Sequence, residues 1–428
     1  MNSQRDGEQH HSSNNAKGPL DGLVVLDLSR ILAGPTCTQL LGDMGAEIIK
    51  IEHPQRGDDT RKWGPPFLKG KDGADTGESA YYLSSNRNKH SLGIDMRSEE
   101  GVEMLKELAA TADVVIENFK VGDLARKGLG YDDLRAKNDR LIYCSITGFG
   151  QTGPYSHRAG YDALIQAMGG IMSITGLPEE EGGSPTKIGV GIADVMCGMY
   201  ACNAILAALH HREKTGEGQH IDISLLDCQV AWLINQGLSY LTDGNIPKRL
   251  GNAHPTIVPY ETFPASDKDF MVAVGNDAQY QRFCEVLGCP ELSTDPRFAT
   301  NADRVRNRSE LVPLLRQFTI KQGAQHWTDE LEAVGVPCGP VNDLAGVFSD
   351  PQILHRGMKI SLPHKQSEDG QVSLIGNPIN YSKTPVTYRK APPTLGEDSL
   401  EVLTKYLQKT REEIDDLAAR GVVSLGDS

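Results

Sequence analysis

Asp194 is the residue whose setting most clearly favours chemistry. It follows the Gly- and Ala-containing run Gly189–Ala193 and stands at the start of a long apolar stretch that ends near Leu209. An aspartate at such a position commonly caps a helix, because its carboxylate accepts hydrogen bonds from unpaired backbone N–H groups. The same carboxylate could instead attack an acyl group and form a mixed anhydride, with small neighbours leaving room for the substrate. Position alone leaves both interpretations open.

Five cations follow predicted strands, or lie in the loops and helix starts beyond them. They are Arg61, Lys62, Lys89, Arg126 and Lys127. Ligands of open α/β sheets bind at the carboxyl ends of the strands, so such a cluster could hold a phosphorylated ligand. Taken singly, each of them is typical of a solvated surface charge.

Several common catalytic motifs are absent from the sequence. It contains no GxxxxGK[ST], no HExxH, no EF-hand loop and no GxSxG, and the turn after the first predicted strand reads SRILAGP without GxGxxG. These absences count against phosphoryl transfer, serine hydrolysis and hydride transfer. The eight cysteines form no CxxC and no cluster with zinc-ligand spacing, so we predict no metal site, buried free thiols and a reducing compartment.

The elements that must position these residues alternate regularly. Short apolar, β-branched runs predict strands at 23–29, 47–52, 91–96, 113–118, 141–147 and 220–225. Helical patterns lie between them, and this alternation predicts an α/β fold with a doubly wound, Rossmann-like parallel sheet. From about residue 260 to 338 the composition changes to short strands, helices and Pro or Gly turns, which indicates a second, smaller α+β domain.

Charge and hydropathy limit the possible partners. Lys and Arg number 43 against 57 Asp and Glu, a net charge of −14, which argues against nucleic acid or an anionic membrane as a partner. The stretch 188–209 is long enough to span a bilayer, but it carries Asp194 and Asn203, so we expect a helix in a soluble core. The polar N-terminus lacks a signal-peptide pattern and favours the cytoplasm, with mitochondria still open.

Long motifs in a fixed order carry a resemblance to a known family. They include LDLSRILAGP, GAEIIKIEHPQRGDDTRKWGPPF, NRNKHSLGIDM, VIENFKVGDLARKGLGYDDL, SITGFGQTGPYSHRAGYDA and IADVMCGMYACNAILAAL. On these residues the chain resembles the class III CoA-transferase family, which includes formyl-CoA transferase, carnitine CoA-transferase and the succinate–hydroxymethylglutarate CoA-transferases. The similarity runs from about residue 18 to 423.

The resemblance implies a mechanism and a set of site residues. Asp194 would be the catalytic aspartate, which forms an aspartyl anhydride and then an aspartyl-CoA thioester with no metal and no bound cofactor; CoA and acyl-CoA are substrates. The implied CoA contacts are Lys89, Asn118, Phe119 and Arg126. The implied substrate pocket contains Leu32, Tyr161, Asn252 and His254.

Departures from the family pattern bear on the substrate. Formyl-CoA transferase has a glutamine where this chain has Leu32, and its tetraglycine loop has no counterpart here, the corresponding region being 251–255. These departures count against a specificity for oxalate and formyl groups and leave the acceptor acid open. Similarity to the succinyl-CoA-using branch favours succinyl-CoA as the donor and a dicarboxylic acid as the acceptor.

Two other functions compete with CoA transfer. The α-methylacyl-CoA racemases resemble the chain too, but they carry a histidine in an AGHD motif that reads AGYD here, with Tyr161 in its place. Inverting an α-carbon needs a second acid/base group, and tyrosine is a poor base at neutral pH. An interaction scaffold with an inactive core would require loss of the aspartate or the CoA contacts, and both are retained.

The resemblance also implies a domain organisation. The large Rossmann-like domain would be built from both ends of the chain, and two chains would interlock as a homodimer with the active site near their interface. The predicted segments are a disordered stretch at 1–18, the first part of the large domain at 19–225, a linker helix at 226–247, the small α+β domain at 248–338, and a return linker with the rest of the large domain at 339–428.

Overall fold

The computed structural model describes residues 18–426 as two compact units. The first unit contains 18–169, 189–234 and 354–426, and the second contains 170–188 and 235–353. Both ends of the predicted small domain, 248 and 338, fall within this second unit. The segment 1–18 that we predict to be disordered lies outside the described residues, apart from Gly18.

Strands and helices are numbered in chain order over the described residues 18–426. The strands are β1 Val24–Asp27, β2 Glu47–Glu52, β3 Phe67–Lys69, β4 Asp75–Ser79, β5 Lys89–Ile94, β6 Val114–Glu117, β7 Ile142–Thr147, β8 His220–Ser224, β9 Tyr260–Pro264, β10 Asp269–Ala273, β11 Cys338–Pro340, β12 Lys359–Pro363, β13 Gln371–Ile375 and β14 Val423–Ser424. The helices are α1 Ala33–Asp43, α2 Ala80–Leu83, α3 Glu99–Thr111, α4 Tyr131–Arg135, α5 Asp162–Met168, α6 Ile171–Ile174, α7 Ile192–Thr215, α8 Leu225–Ala231, α9 Ile234–Asp243, α10 Asp277–Leu287, α11 Glu291–Thr294, α12 Asn301–Arg306, α13 Arg308–Thr319, α14 Ala324–Ala333, α15 Leu344–Ser349, α16 Pro351–His355, α17 Ser399–Leu407 and α18 Arg411–Ala419.

A seven-stranded sheet organises the first unit. Its order is β14-β5-β2-β1-β6-β7-β8, and every pair is parallel except β14 with β5. The six parallel strands follow the doubly wound order: successive strands are added on one side of β1 as far as β5 and then on its other side from β6 to β8, so the strand order reverses between β1 and β6. The prediction of a Rossmann-like α/β fold is therefore confirmed.

Both faces of this sheet are covered by apolar side chains. One buried cluster joins strand residues to helices α3, α17 and α18, and the other joins them to α1, α7 and α8. A strand covered on both faces must be apolar at successive positions, and the run Val114–Glu117 is buried throughout. The short apolar runs in the sequence therefore mark the central strands.

Helix α7 belongs to the second of these clusters. Within the described residues 18–426, it is the one helix with the length and hydropathy to cross a bilayer, and half of its most apolar stretch of 18 residues is buried. Its Gly198 lies so close to α1 that a Cβ there would stand 2.5 Å from the Ala33 carbonyl oxygen. This glycine lets the two helix backbones approach closely.

The segment 226–247, predicted as one linker helix, contains two helices. Helix α8 ends at Ala231 and α9 begins at Ile234, whose φ of +33° departs from helical geometry. The helix predicted across this segment is therefore interrupted between Ala231 and Ile234.

The second unit has its own core. Its strands form a three-stranded antiparallel sheet in the order β11-β10-β9. Helices α10, α13 and α14 contribute residues to the buried cluster on it, including Phe283, Leu315 and Trp327. This arrangement is an α+β fold.

Candidate active site

A cavity of about 330 Å³ opens at the carboxyl ends of the central strands. It is lined from the turn after β1, the segment after β6 and the segment after β7, and therefore lies where the strand order reverses. Open α/β sheets bind ligands at this place. Its lining residues include Arg30, Ile31, Phe119, Arg158, Tyr161 and Asp194.

Asp194 brings the carboxylate of the site to the cavity wall. It lies in the first turn of α7 and is half-buried, and burial together with the nearby charge of Asp162 raises its pKa to about 7. Within residues 18–426 no donor forms a hydrogen bond to its carboxylate oxygens. At neutral pH the group is about half ionised, and its oxygens are free to react.

The sequence-based possibility that Asp194 caps its helix is wrong. The helix begins two residues earlier, with Gly191 at the N-cap position. Asp162 caps it from another helix: its Oδ1 accepts hydrogen bonds from the backbone N–H of Ala193 at 2.8 Å and of Asp194 at 3.4 Å. Its Oδ2 accepts from Gln166 Nε2 at 2.7 Å. Because Asp162 accepts the hydrogen bonds of the backbone N–H groups at the start of α7, the carboxylate of Asp194 is not used as a helix cap.

The turn after β1 has an unusual backbone. Ile31 has φ of +74°, which a β-branched residue rarely adopts and which costs on the order of 1–3 kcal/mol. The residue before Ile31, Arg30, is held by the side chain of Asn118. Asn118 Oδ1 accepts from Arg30 N at 2.9 Å, and Asn118 Nδ2 donates to Arg30 O at 2.6 Å. The Ile31 N–H donates to the Asp58 carboxylate at 3.3 Å.

A buried ion pair supports the same turn. Lys50 Nζ donates to Ser29 O at 3.1 Å and to Asp58 Oδ2 at 2.8 Å, and both side chains are fully buried. Burial opposes ionisation of Asp58, yet the charge and hydrogen bond of Lys50 lower its pKa to about 2. Removing either partner of such a pair strongly destabilises the folded protein, because it leaves the other charge buried without a counter-charge.

Lys89, predicted to contact CoA, does not line the cavity. It is the first residue of β5, and its fully buried ammonium donates to Pro35 O at 3.0 Å, Asn86 Oδ1 at 3.0 Å and Asp27 Oδ2 at 3.3 Å. Burial lowers its pKa to about 8 despite the attraction of Asp27. Three acceptors therefore take all three of its protons.

The cavity has two arginines that sequence reasoning did not select. The guanidinium of Arg30 lies 5.1 Å from the Phe119 ring centroid and pairs with Asp59 at 2.8 Å. Arg158 lies 5.2 Å from the Phe149 centroid and 4.7 Å from that of Tyr155. The available signal was position, since Arg30 comes soon after a strand end and Arg158 precedes the AGYD motif.

The other predicted site residues are distributed over both units. Phe119 and Tyr161 line the cavity, with Tyr161 strongly exposed, and the side chain of Arg126 is exposed beside its ion-pair partner Asp123, itself a lining residue. Leu32 is buried; its side chain lies 3.1 Å from the place a Cβ on Gly191 would take.

Asn252 and His254 belong to the second unit. There Asn252 Nδ2 donates to Thr262 Oγ1 at 3.1 Å, and the His254 ring packs edge-on against Tyr260.

In residues 18–426, one group of side chains has potential metal-ligand atoms close together: His90, Asp398 and Glu401, whose ligand atoms lie within 4.8 Å of one another. None of the three lines the cavity, and Asp398 already pairs with Lys390.

Comparisons with known proteins identify the family of the chain. The model of CoA-transferase family III matches residues 20–399. The succinate–glutarate CoA-transferase of Agrobacterium fabrum (strain C58 / ATCC 33970) is 48% identical over 392 residues, 91% of this chain and 96% of that protein. The succinyl-CoA:glutarate CoA-transferase of Homo sapiens is 43% identical over 417 residues, 97% of this chain and 92% of that protein. The crystal structure of a CAIB/BAIF family protein from Brucella suis aligns with a TM-score of 0.81 and 48% identity, covering 91% of this chain and 100% of that one.

Proposed function

Because the chain belongs to CoA-transferase family III and is a CoA-transferase, we propose that it moves CoA from succinyl-CoA to a free dicarboxylic acid through Asp194. The observation that carries this proposal is the Asp194 carboxylate itself. It is half-buried, has a pKa near neutrality and no hydrogen-bond donor within residues 18–426, and lines a cavity where the strand order of the sheet reverses.

The reaction proceeds by two exchanges at this carboxylate. The Asp194 oxygen attacks the thioester carbonyl of the donor, the C–S bond breaks, and CoA leaves as a thiolate beside a mixed anhydride. The thiolate then attacks the aspartyl carbonyl of the anhydride and releases the donor acid as a carboxylate, which leaves an aspartyl-CoA thioester. The acceptor acid repeats these steps in reverse, so that a new acyl-CoA leaves and Asp194 is restored.

The environment of Asp194 suits this cycle. A carboxylate that water and hydrogen bonds stabilise strongly is a weak nucleophile, whereas burial without a donor raises both its pKa and its reactivity. Near pH 7 about half the molecules hold the ionised, attacking form. Protons need not be transferred in the exchange, because carboxylates and thiolates replace one another.

Anionic substrates need cations at the cavity, and arginine side chains supply them. We place the CoA phosphates near Arg126 and Arg30, and the adenine near the Phe119 ring, because guanidinium groups bind phosphate and aromatic faces stack on bases. Lys89 is not part of this CoA site, since its ammonium is enclosed by three protein acceptors. Arg158 supplies a further positive charge for an anionic group of the substrate.

The preference for a dicarboxylic acceptor rests on the relatives. Both relatives described above are named for transfer between succinyl-CoA or succinate and glutarate. The chain covers more than nine-tenths of each, and the cavity has arginines that suit a second carboxylate. Glutarate is therefore the first acceptor to assay.

We also propose that the enzyme is a homodimer. Helix α9 contains no buried residue, although its sequence has an apolar face that includes Leu238 and Leu241, which are 64% and 78% exposed. Apolar faces of this kind are normally covered by a partner. A second copy of the chain is the partner that the family resemblance implies.

The decisive experiment identifies the residue that forms the covalent intermediates. The protein is incubated with succinyl-CoA, quenched with hydroxylamine or borohydride, digested and analysed by mass spectrometry. Modification is expected at Asp194 and absent in Asp194→Asn, whereas Asp123→Asn, which alters another cavity carboxylate, is expected to retain it. Modification at another residue, or full transfer activity in Asp194→Asn, would refute the mechanism.

A substrate panel separates transfer from isomerisation. Succinyl-CoA is combined with glutarate and other dicarboxylic acids, and new CoA thioesters are measured. A racemase would instead incorporate solvent deuterium at the α-carbon of a 2-methylacyl-CoA. We expect thioester exchange without deuterium incorporation, because Tyr161 stands in the cavity where racemases have a histidine.

A further inference from the structure

The turn 28–32 joins β1 to α1 and contributes Arg30 and Ile31 to the wall of the Asp194 cavity, and the first residue of α1 contributes Ala33. Its conformation depends on Ile31 at φ +74°. A β-branched residue favours negative φ, so an unsupported turn would relax and move this wall. The conformation therefore needs support from outside the turn.

That support comes from side chains on neighbouring elements. Asn118, after β6, bonds to both the N–H and the carbonyl of Arg30. Lys50, on β2, donates to Ser29 O, and its partner Asp58 accepts from Ile31 N. The backbone groups that lead into the strained residue, from Ser29 O to Ile31 N, are thus held by side chains that are buried or half-buried.

We propose that Asn118 and the buried Lys50–Asp58 pair are positioning residues for acyl transfer, which hold the Ile31 turn in the wall that faces the substrate. The proposal rests on the proposed function and deepens it. A thioester that reaches Asp194 must lie against this wall, and small displacements of a reacting group from its attack geometry cost large factors in rate.

The proposal differs from a direct role of Asn118 in CoA binding. Arg30 uses one lone pair of its Oδ1 and one N–H of its Nδ2, so a CoA contact would have to use the remaining lone pair or N–H. Direct binding and positioning predict different kinetics. Loss of a binding contact raises KM, whereas a displaced wall lowers kcat.

The first test is Asn118→Ala, assayed with succinyl-CoA and glutarate. We expect kcat to fall at least tenfold while KM for succinyl-CoA changes less than threefold. Asn118→Asp, which keeps the acceptor for Arg30 N but sets an oxygen against Arg30 O, is expected to lose a similar factor and covers the case in which alanine prevents folding. A rise in KM at unchanged kcat would overturn the proposal.

The second test is rescue by removal of the strain. Glycine adopts positive φ without a steric penalty, whereas alanine keeps that penalty and still removes the isoleucine side chain. In the Ile31→Gly background, Asn118→Ala is expected to lower kcat no more than threefold. In the Ile31→Ala background the full loss should persist. Equal losses in the two backgrounds would show that Asn118 does not act through the backbone at Ile31.

A readout without substrate separates this proposal from the proposed function. Hydrogen–deuterium exchange of peptides covering residues 28–36 is measured in the wild-type protein and in Asn118→Ala. We expect faster exchange in the variant, with peptides of the second unit unchanged. If exchange accelerates but the wild-type protein transfers no CoA, the proposed function fails and the support of the turn stands. Unchanged exchange would contradict the proposal even if transfer is observed.

Discussion

Replacing Asp162 by asparagine should shift the pH dependence of CoA transfer to lower pH. Asp162 raises the pKa of Asp194 through its charge, and it caps α7 through Oδ1. Asparagine keeps an oxygen for the cap but removes the charge. The Asp194 carboxyl then loses its proton at a lower pH, so the reactive carboxylate persists further into the acid range.

The size of the shift follows from the structure. Asp194 titrates near pH 7 instead of 3.8, which corresponds to about 4 kcal/mol of disfavoured charge, and burial is the larger of the two causes. The charge of Asp162 is the smaller cause and therefore accounts for less than half of this free energy, at most about 2 kcal/mol. We therefore expect the pKa of Asp194 to fall by about 1 to 1.5 pH units in Asp162→Asn.

The assay is kcat/KM for succinyl-CoA between pH 5 and 9, since this ratio reports groups of the free enzyme. The acid limb should have its midpoint near pH 7 in the wild type and near pH 5.5 to 6 in the variant. At pH 6 the wild type would retain about a tenth of its plateau, and the variant about half of its own or more. Asp123→Asn is the matched control, because it removes a cavity charge that does not affect the pKa of Asp194.

An unchanged acid limb in Asp162→Asn would refute this reasoning, as would an equal shift in Asp123→Asn. Circular dichroism checks that the helix cap survives. A loss of helix stability with an unshifted limb would mean that Asp162 acts only as the cap of α7.

Three further predictions concern CoA binding, stability and assembly. Arg126→Ala should raise KM for succinyl-CoA about fivefold and leave KM for glutarate unchanged, whereas Lys127→Ala, next to it, should affect neither; steady-state kinetics with each substrate varied checks this. Burial raises the pKa of Glu117 to about 7. Between about pH 4.5 and 7 the Glu117 carboxyl therefore keeps a proton in the folded state that it has lost in the unfolded state. The free energy of unfolding falls as the pH rises through this range. The free energy of unfolding of Glu117→Gln, measured by chemical denaturation, should therefore rise by about 2 to 3 kcal/mol relative to that of the wild type between pH 4.5 and pH 8. If the difference between the two proteins does not change with pH, Glu117 does not have a raised pKa in the folded state. Leu241→Lys should shift the molar mass measured by light scattering from that of a dimer towards that of one chain of 46.5 kDa, and an unchanged mass would count against α9 as the interface.

Fold class and the candidate nucleophile were accessible from local sequence. Apolar runs separated by helical patterns indicate a parallel sheet because buried strands need apolar residues at successive positions. Asp194 stands out because a carboxylate is costly to bury beside a long apolar stretch, so its presence there indicates a capping or a chemical role. Motif resemblance then indicated the family and the chemistry, and the chain does belong to the CoA-transferases.

Other roles depended on distances that no local pattern contains. Lys89 was expected to reach CoA, but it lies at the amino end of β5, and its ammonium is held by protein acceptors that include the carbonyl of Pro35 in α1. The cap of α7 comes from Asp162, about thirty residues earlier, and the strained turn at Ile31 is held by Asn118, 88 residues away from Arg30.

By itself, the sequence determined which segments become buried strands, where the candidate nucleophile lies, and which family the chain belongs to, because these depend on residue type and short spacing. Only the tertiary structure decided which polar groups meet. It showed that Asp194 is freed from capping, that Lys50 and Lys89 are enclosed supports, and that Arg30 and Arg158 face the cavity. The physical reason is that burial and pairing set the charge and freedom of a side chain, and both arise from residues far apart in the chain.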